Sequence, residues 1–168
     1  MQAAPKPVEA ANDGVGSSFE AAAFLAEPGA PVPVCELLER ISSRLRTGLD
    51  AGLEPMAIDA RHFRIAILLR DAGPQSQVWL CDRTRVDRAS MVKLVDRLQE
   101  EGWVTREPCL ADRRQNAVTL SVRGRKSLKA AETIARHNED HVLGALAPLQ
   151  RAALQDLLRR HLRQEADL

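Results

Sequence analysis

Aromatic residues are scarce in this sequence. Tyrosine is absent, and Phe, Trp and Tyr together make up 3% of the 168 residues. The core must therefore be built from Leu, Val, Ile and Ala, and this composition favours helices. No apolar run approaches the ~20 residues that a membrane span needs. The N-terminus also lacks the basic region and apolar stretch of a secretory signal. We therefore expect a helical protein that neither enters a membrane nor is exported.

Sites for catalysis and for metals are also missing. The three cysteines show no C-x-x-C spacing, and an odd number without that spacing fits a reducing, cytoplasmic setting. There is no nucleophile elbow and no phosphate-binding loop, so we expect no enzyme and no cofactor. His137 and His141 are four residues apart on one helix face, but no carboxylate or cysteine completes a metal site with them.

Charge is balanced over the whole chain, at a net +1, but it is unevenly distributed. The first 34 residues carry four acids and one lysine. The segment from 113 to 129 carries six basic residues and no acid. Its basic residues are Arg113, Arg114, Arg123, Arg125, Lys126 and Lys129. A local basic surface of this kind is what contact with nucleic-acid phosphates requires.

The most informative segment runs from Ser76 to Ser121. It begins with two short amphipathic helices. Ser76 can cap the first, and Val78, Leu80 and Cys81 are expected to point inward from it. The second starts at Asp87, which can cap it. Gly102 ends that helix because glycine tolerates the left-handed conformation at a C-terminus. The apolar positions of the second helix are Met91, Val92, Leu94, Val95 and Leu98. Its polar face carries Arg88, Ser90, Lys93 and Arg97. This order of elements predicts a helix-turn-helix.

Two β-type segments follow the helices. Trp103–Arg106 and Ala117–Leu120 favour strands, and Pro108–Arg114 joins them as a hairpin loop. The whole segment is therefore predicted to be a helix-turn-helix with a β-wing. An α-helix fits the major groove of B-DNA, and paired arginines on a protruding loop suit the minor groove.

DNA contacts are predicted for both parts of this segment. A hydroxyl at the start of the first helix suits phosphate binding, and the N-terminal residues of the second helix normally enter the groove. We expect Lys93 and Arg97 to contact phosphate, and Asp87 and Asp96 to orient arginines. The predicted DNA-binding residues are Ser76, Gln77, Arg88, Ser90, Lys93, Arg97, Asp112, Arg113 and Arg114.

The flanking segments are predicted to be helical. Apolar residues recur at helical spacing in Cys35–Ala51, in Ile58–Asp71, after Ser121 as far as Ala147, and in Leu149–Arg163. Ser121 can cap the helix that follows it. Residues 1–33 are rich in Ala, Gly, Pro and Ser and are predicted to be a flexible arm. The first and last helices must bury their leucines against another surface. A second copy of the chain is the simplest partner, and a two-fold dimer also suits a palindromic DNA site.

The motif resembles that of one family. Four segments are similar to the MarR family of winged-helix regulators: V-D-R-A-S-M-V-K-L-V-D-R-L at 86–98, G-W-V-x-R directly after that helix, D-R-R at 112–114 and A-V-x-L-S at 117–121. The resemblance implies a mainly α fold with a small β-wing, flanked by N- and C-terminal dimerisation helices. The divisions expected are 34–57 (dimerisation), 58–121 (DNA binding) and 122–168 (dimerisation). The resemblance also implies that Arg114 contacts the minor groove and that Asp112 braces the wing.

The resemblance also implies regulation. A homodimeric regulator, a repressor in our interpretation, would bind a palindromic operator and be released by a small aromatic or phenolic ligand. Arg46, His62, Arg64 and Trp79 are the expected ligand contacts. Two alternatives remain open. One is oxidant sensing through Cys35, near the start of the first helix, since some relatives use a cysteine there. The other is a winged-helix protein-interaction module that never contacts DNA.

Overall fold

Six α-helices and a small antiparallel sheet form the part of the chain that this computed structural model describes, residues 32–108 and 116–166. The elements in chain order are α1 (Val34–Leu53), a 3-10 turn (Glu54–Met56), α2 (Ala60–Ala72), β1 (Gln75–Ser76), α3 (Gln77–Thr84), α4 (Arg88–Glu100), β2 (Val104–Pro108), β3 (Asn116–Leu120), α5 (Val122–Val142) and α6 (Pro148–Ala166). Contacts divide the chain into residues 1–34 and residues 35–168. The predicted arm lies almost entirely outside the described residues. The described residues confirm the predicted fold class, mainly α with a small β-wing.

Four of the helices begin at a side chain that caps them. Asp59, Ser76, Asp87 and Ser121 each accept hydrogen bonds from backbone N–H groups of the following turn. These bonds satisfy donors that have no partner within the helix. The sequence predicts three of these caps. The fourth moves the start of α2 from the predicted Ile58 to Ala60, because Asp59 and His62 form a reciprocal capping box.

The sheet has three strands in the order β1-β3-β2, and both pairings are antiparallel. β2 and β3 are the predicted wing strands, with Val104 opposite Leu120. β1 is too short to show an alternating pattern and was not predicted. It pairs Gln75 with Val118 and so ties the start of α3 to the wing.

The core lies between α2, α3, α4, the sheet and the first half of α5. We call residues 58–131 the central lobe. Its buried apolar side chains are Ile58, Phe63, Ile65, Ala66, Leu69, Leu80, Met91, Leu94, Val95, Leu98, Trp103, Val104, Val118, Leu120, Leu128 and Ala131. Two valines predicted to be apolar-facing are not buried: Val78 and Val92 are each 44% exposed.

Two glycines position the wing against the helices. Gly102 has φ +71° and ends α4 as predicted. At Gly124, the second, a Cβ would overlap the carbonyl oxygen of Trp103. The absence of a side chain at Gly124 lets α5 begin against the wing, where Ser121 Oγ also donates to the Gly102 carbonyl at 2.7 Å. The base of the wing is therefore held on the body of the protein.

The first and last helices bury little within the chain. α1 has one buried residue, Leu53. None of the α6 side chains in 148–163 is buried, and Leu149 and Leu162 are 85% and 64% exposed. α5 ends at Val142, five residues before the predicted end, and Pro148 starts α6 instead of merely separating two helices. Proline suits that position because its missing N–H would be unpaired there anyway.

Candidate nucleic-acid interface

Helix α4 presents one exposed face with two positive charges. Met91, Leu94, Val95 and Leu98 bury the opposite face. The exposed residues of its first two turns are Arg88, Ala89, Val92 and Lys93. Neither Arg88 nor Lys93 makes a hydrogen bond or an ion pair with another residue of the described ranges, so both cations are available to a ligand.

The start of α4 is held in place by its own cap. Asp87 Oδ1 accepts from the Ser90 amide at 2.9 Å. Hydrogen bonds from the Ser90 hydroxyl and amide lower the pKa of Asp87, so this carboxylate stays ionised. Ser90 is thus part of the cap of α4, and the contact with DNA predicted for it stays a prediction.

Three polar residues farther along α4 are engaged by the fold itself. Arg97 Nε donates to the Ala57 carbonyl at 3.0 Å, and its Nη1 lies 3.1 Å from Glu101. Asp96 and Gln99 both accept from a residue of the wing. The DNA contact predicted for Arg97 stays a prediction, and it would require these bonds to break.

Arg106 of β2 is that wing residue. Its guanidinium donates to Asp96 Oδ1 at 2.5 Å and to Gln99 Oε1 at 2.8 Å. With the amide of Gln77 oriented to accept, its oxygen lies 3.2 Å from Arg106 Nε. Arg106 thus connects the wing to α4 and to the start of α3. Asp96 was expected to orient an arginine, and the arginine that it binds is Arg106, which no sequence pattern singled out.

The other predicted contacts lie outside α4. Ser76 accepts a hydrogen bond from the Trp79 amide at 3.1 Å and so caps α3. This position at the start of a helix is also compatible with the predicted phosphate contact. Asp112, Arg113 and Arg114 lie outside the described residues. Four of the basic residues that follow the wing, Arg123, Arg125, Lys126 and Lys129, are exposed on α5.

A cavity of about 490 Å³ opens between α1, α2 and the helix-turn-helix. Its charged lining residues are Arg46, Asp50, Asp59, Arg61 and Arg64. Its apolar wall comes from Ile65, Val86 and Leu94. The carboxylates already have partners. Asp50 accepts from the Ala60 amide at 2.7 Å, and Asp59 binds Arg61 at 2.8 Å. Among the described residues Arg64 donates only to the Arg83 carbonyl, at 3.4 Å, so no carboxylate of those residues pairs with its charge.

The four predicted ligand residues do not all meet. Arg46 and Arg64 line the same cavity. His62 is buried, lies 2.7 Å from Asp59 through Nδ1, and borders a more open depression. Trp79 packs against the core, with the Arg83 guanidinium 5.3 Å from its ring centre. Burial alone would raise the pKa of Asp59, but hydrogen bonds from Arg61 and His62 outweigh it and lower the pKa to about 2.

The cysteines and histidines considered for redox or metal roles are placed as follows in the described residues. Cys35 is exposed in the first turn of α1, and Cys81 is partly buried against the core. His137 and His141 are exposed on α5. Residues 32–108 and 116–166 contain no group of three side chains that could hold a metal ion. Among those residues no helix is both long and apolar enough to cross a membrane.

The fold and this surface define a winged helix-turn-helix protein. Comparison with known proteins agrees: the sequence model of the MarR family matches residues 51–115. The reduced form of MarR from E. coli has a TM-score of 0.72 and 25% identity, and the match covers 79% of this chain and 98% of that one. The chain thus matches the MarR family over residues 51–115 and is similar in fold to MarR over most of its length.

Two further similar proteins bind DNA. Rv2887 from Mycobacterium tuberculosis, solved in complex with DNA, is 25% identical with a TM-score of 0.69, over 77% of this chain and 98% of that one. BpsR from Bordetella bronchiseptica is 28% identical with a TM-score of 0.66, over 77% of this chain and 92% of that one. The DNA binding of BpsR is regulated by 6-hydroxynicotinic acid.

Proposed function

We propose that this protein is a homodimeric, sequence-specific DNA-binding transcription regulator, acting as a repressor that a small anionic ligand releases from a palindromic operator. The observation that carries the proposal is the exposed face of α4, where Arg88 and Lys93 lie beside the base of a wing and have no partner among the described residues. Helix α4 would enter the major groove, and the wing arginines would reach the adjacent minor groove.

The apolar faces of α1 and α6 support the dimer. Leu37, Leu38 and Ile41 of α1 are 38–45% exposed. Leu157, Leu158 and Leu162 of α6 are 40–64% exposed. Amphipathic helices are stabilised mainly by packing of such faces. Two copies joined through α1 and α6 would cover them and would set two α4 helices about 34 Å apart, one turn of DNA.

The cavity beside α2 supports the ligand. Its volume falls in the range of small-molecule sites, and Arg46 and Arg64 line it together with an apolar wall. A small aromatic carboxylate or phenolate fits that combination of charge and surface. The cavity borders both α1 and α4, so a ligand that prefers one angle between them would shift the dimer between DNA-binding and non-binding forms.

The decisive experiment is a DNA-binding titration at several salt concentrations. Wild-type protein should bind random duplex in low salt with a steep salt dependence, and a preferred sequence more tightly. Lys93→Ala should weaken binding and lower the slope of log K against log salt by about one unit, since one phosphate contact is lost. Arg136→Ala removes an exposed charge on α5 and serves as the matched control, with an unchanged slope expected.

The same titration separates the alternatives. A winged-helix module that contacts only proteins would bind no duplex even in low salt. If Lys93→Ala and Arg136→Ala behave alike, the assignment of α4 to the groove is wrong. Release of wild-type protein by salicylate-like anions, and not by oxidants, would distinguish a ligand-controlled regulator from one that senses oxidation through Cys35.

A further inference from the structure

Val92 of α4 is exposed in the structure, although the apolar spacing of the helix predicts that it is buried. It belongs to the apolar spacing of the helix, yet it is 44% exposed, whereas Met91 and Val95 beside it are fully buried. It lies on the same exposed face as Arg88, Ala89 and Lys93. Its side chain is therefore available, together with the two cations, to a molecule that covers this face of α4.

The polar side chains of α4 leave few residues to read bases. Asp96 and Gln99 accept from Arg106, and Arg97 is bound to the Ala57 carbonyl and to Glu101. The exposed residues free of such bonds within the described chain are the two cations and two small apolar side chains. A cation can contact phosphate on any sequence, so discrimination between bases falls partly to the apolar pair.

Thymine is the base that an apolar side chain recognises in the major groove. Its 5-methyl group is the only apolar feature presented there, and Ala, Phe and the methyl of Thr are known to contact it. Valine has one strongly preferred side-chain rotamer in a helix, so its methyl groups are held in position before binding. We propose that Val92 is a specificity-determining residue that packs against a thymine methyl group in each half of the DNA site.

This inference rests on the proposed function, and its test is built on the preferred duplex. That sequence is first selected from a randomised duplex pool with wild-type protein. Each thymine is then replaced singly by deoxyuridine, which removes only the methyl group. One thymine per half-site should show about a fourfold loss of affinity, the contribution of one buried methyl group. Val92→Ala should bind the selected and the substituted duplexes equally.

Val78→Ala is the matched control, because Val78 is also 44% exposed but lies on α3. It should retain the wild-type loss at the same thymine. Alanine is a better helix former than valine, so Val92→Ala should fold, and its circular dichroism and melting temperature verify this. A change in DNA shape caused by deoxyuridine would persist in Val92→Ala and so is separated from loss of the contact.

The possible results distinguish a failure of the proposed function from a failure of the role assigned to Val92. If no duplex is preferred over random sequence, the proposed function fails before Val92 is tested. If a preferred duplex exists but no thymine methyl matters, or if Val92→Ala loses affinity on the same substitution as the wild type, the assignment of Val92 is overturned. A loss at one thymine in wild-type protein and Val78→Ala, absent in Val92→Ala, is the expected result.

Discussion

The central lobe and the two end helices place their leucines in opposite environments. Leu80 and Leu98 of the lobe are fully buried, whereas Leu149 and Leu162 of α6 are mostly exposed. Both sets recur at helical spacing, so the pattern alone does not tell them apart. The difference shows that the lobe folds around one core, while the apolar faces of α1 and α6 are left largely uncovered by the described residues.

The largest effect should follow from opening a cavity in the lobe. Leu98→Ala should lower the free energy of unfolding by about 3 kcal/mol, because it removes a fully buried side chain and leaves a void. Urea unfolding measures it, and the loss should be the same at every protein concentration. Leu157→Ala on α6 should cost less in dilute protein and more as concentration rises, since its contacts would form only in the dimer. Equal losses at all concentrations would remove the distinction between the two regions.

A smaller effect is expected at the interface proposed for the end helices. Leu158→Glu places a charge on the apolar face of α6 and should raise the dissociation constant of the dimer by roughly ten- to a hundredfold, about 1.4–2.7 kcal/mol. Sedimentation equilibrium measures it. Gln155→Glu adds the same charge at a polar, exposed position of the helix and should leave the dimer intact. A monomeric wild-type protein, or identical behaviour of the two variants, would contradict the proposed dimer.

The smallest effect concerns the junction between α1 and the lobe, where Asp59 caps α2. Asp59→Ala should destabilise the protein by about 1 kcal/mol, a typical value for loss of an N-cap. The folded-state pKa of Asp59, about 2, is below its ordinary value of 3.8. Its stabilisation is therefore complete above pH 3.8 and is lost as pH falls from there through 2. Unfolding measured between pH 5 and 2 should show this loss in wild-type protein and not in the variant.

Asp71→Ala is the control for that pH series. Asp71 is an exposed partner of Arg70 and caps no helix, so its removal should change stability little. If both variants lose the same acid dependence, the capping box is not its source.

Much of the lobe could be predicted from local pattern. The caps at Ser76, Asp87 and Ser121, the stop at Gly102 and the two wing strands each have a short-range cause that is visible in the residues themselves. The DNA-binding, ligand and dimerisation assignments remain predictions, because they depend on partners. Misassigned positions share one trait: Val78 and Val92 match the apolar spacing of their helices but lie at its edge, where a small rotation decides burial.

The sequence by itself therefore determined where α3, α4 and α5 begin and where the two wing strands lie, because capping, glycine conformation and periodicity act within a few residues. Only the tertiary structure decided which polar side chains of α4 remain free. Arg106, ten residues beyond Asp96, engages Asp96 and Gln99, and Arg97 turns to a carbonyl forty residues earlier. Such bonds depend on how distant segments pack, which no local spacing reports. Those bonds leave Arg88 and Lys93 as the cations of α4 without a partner among the described residues.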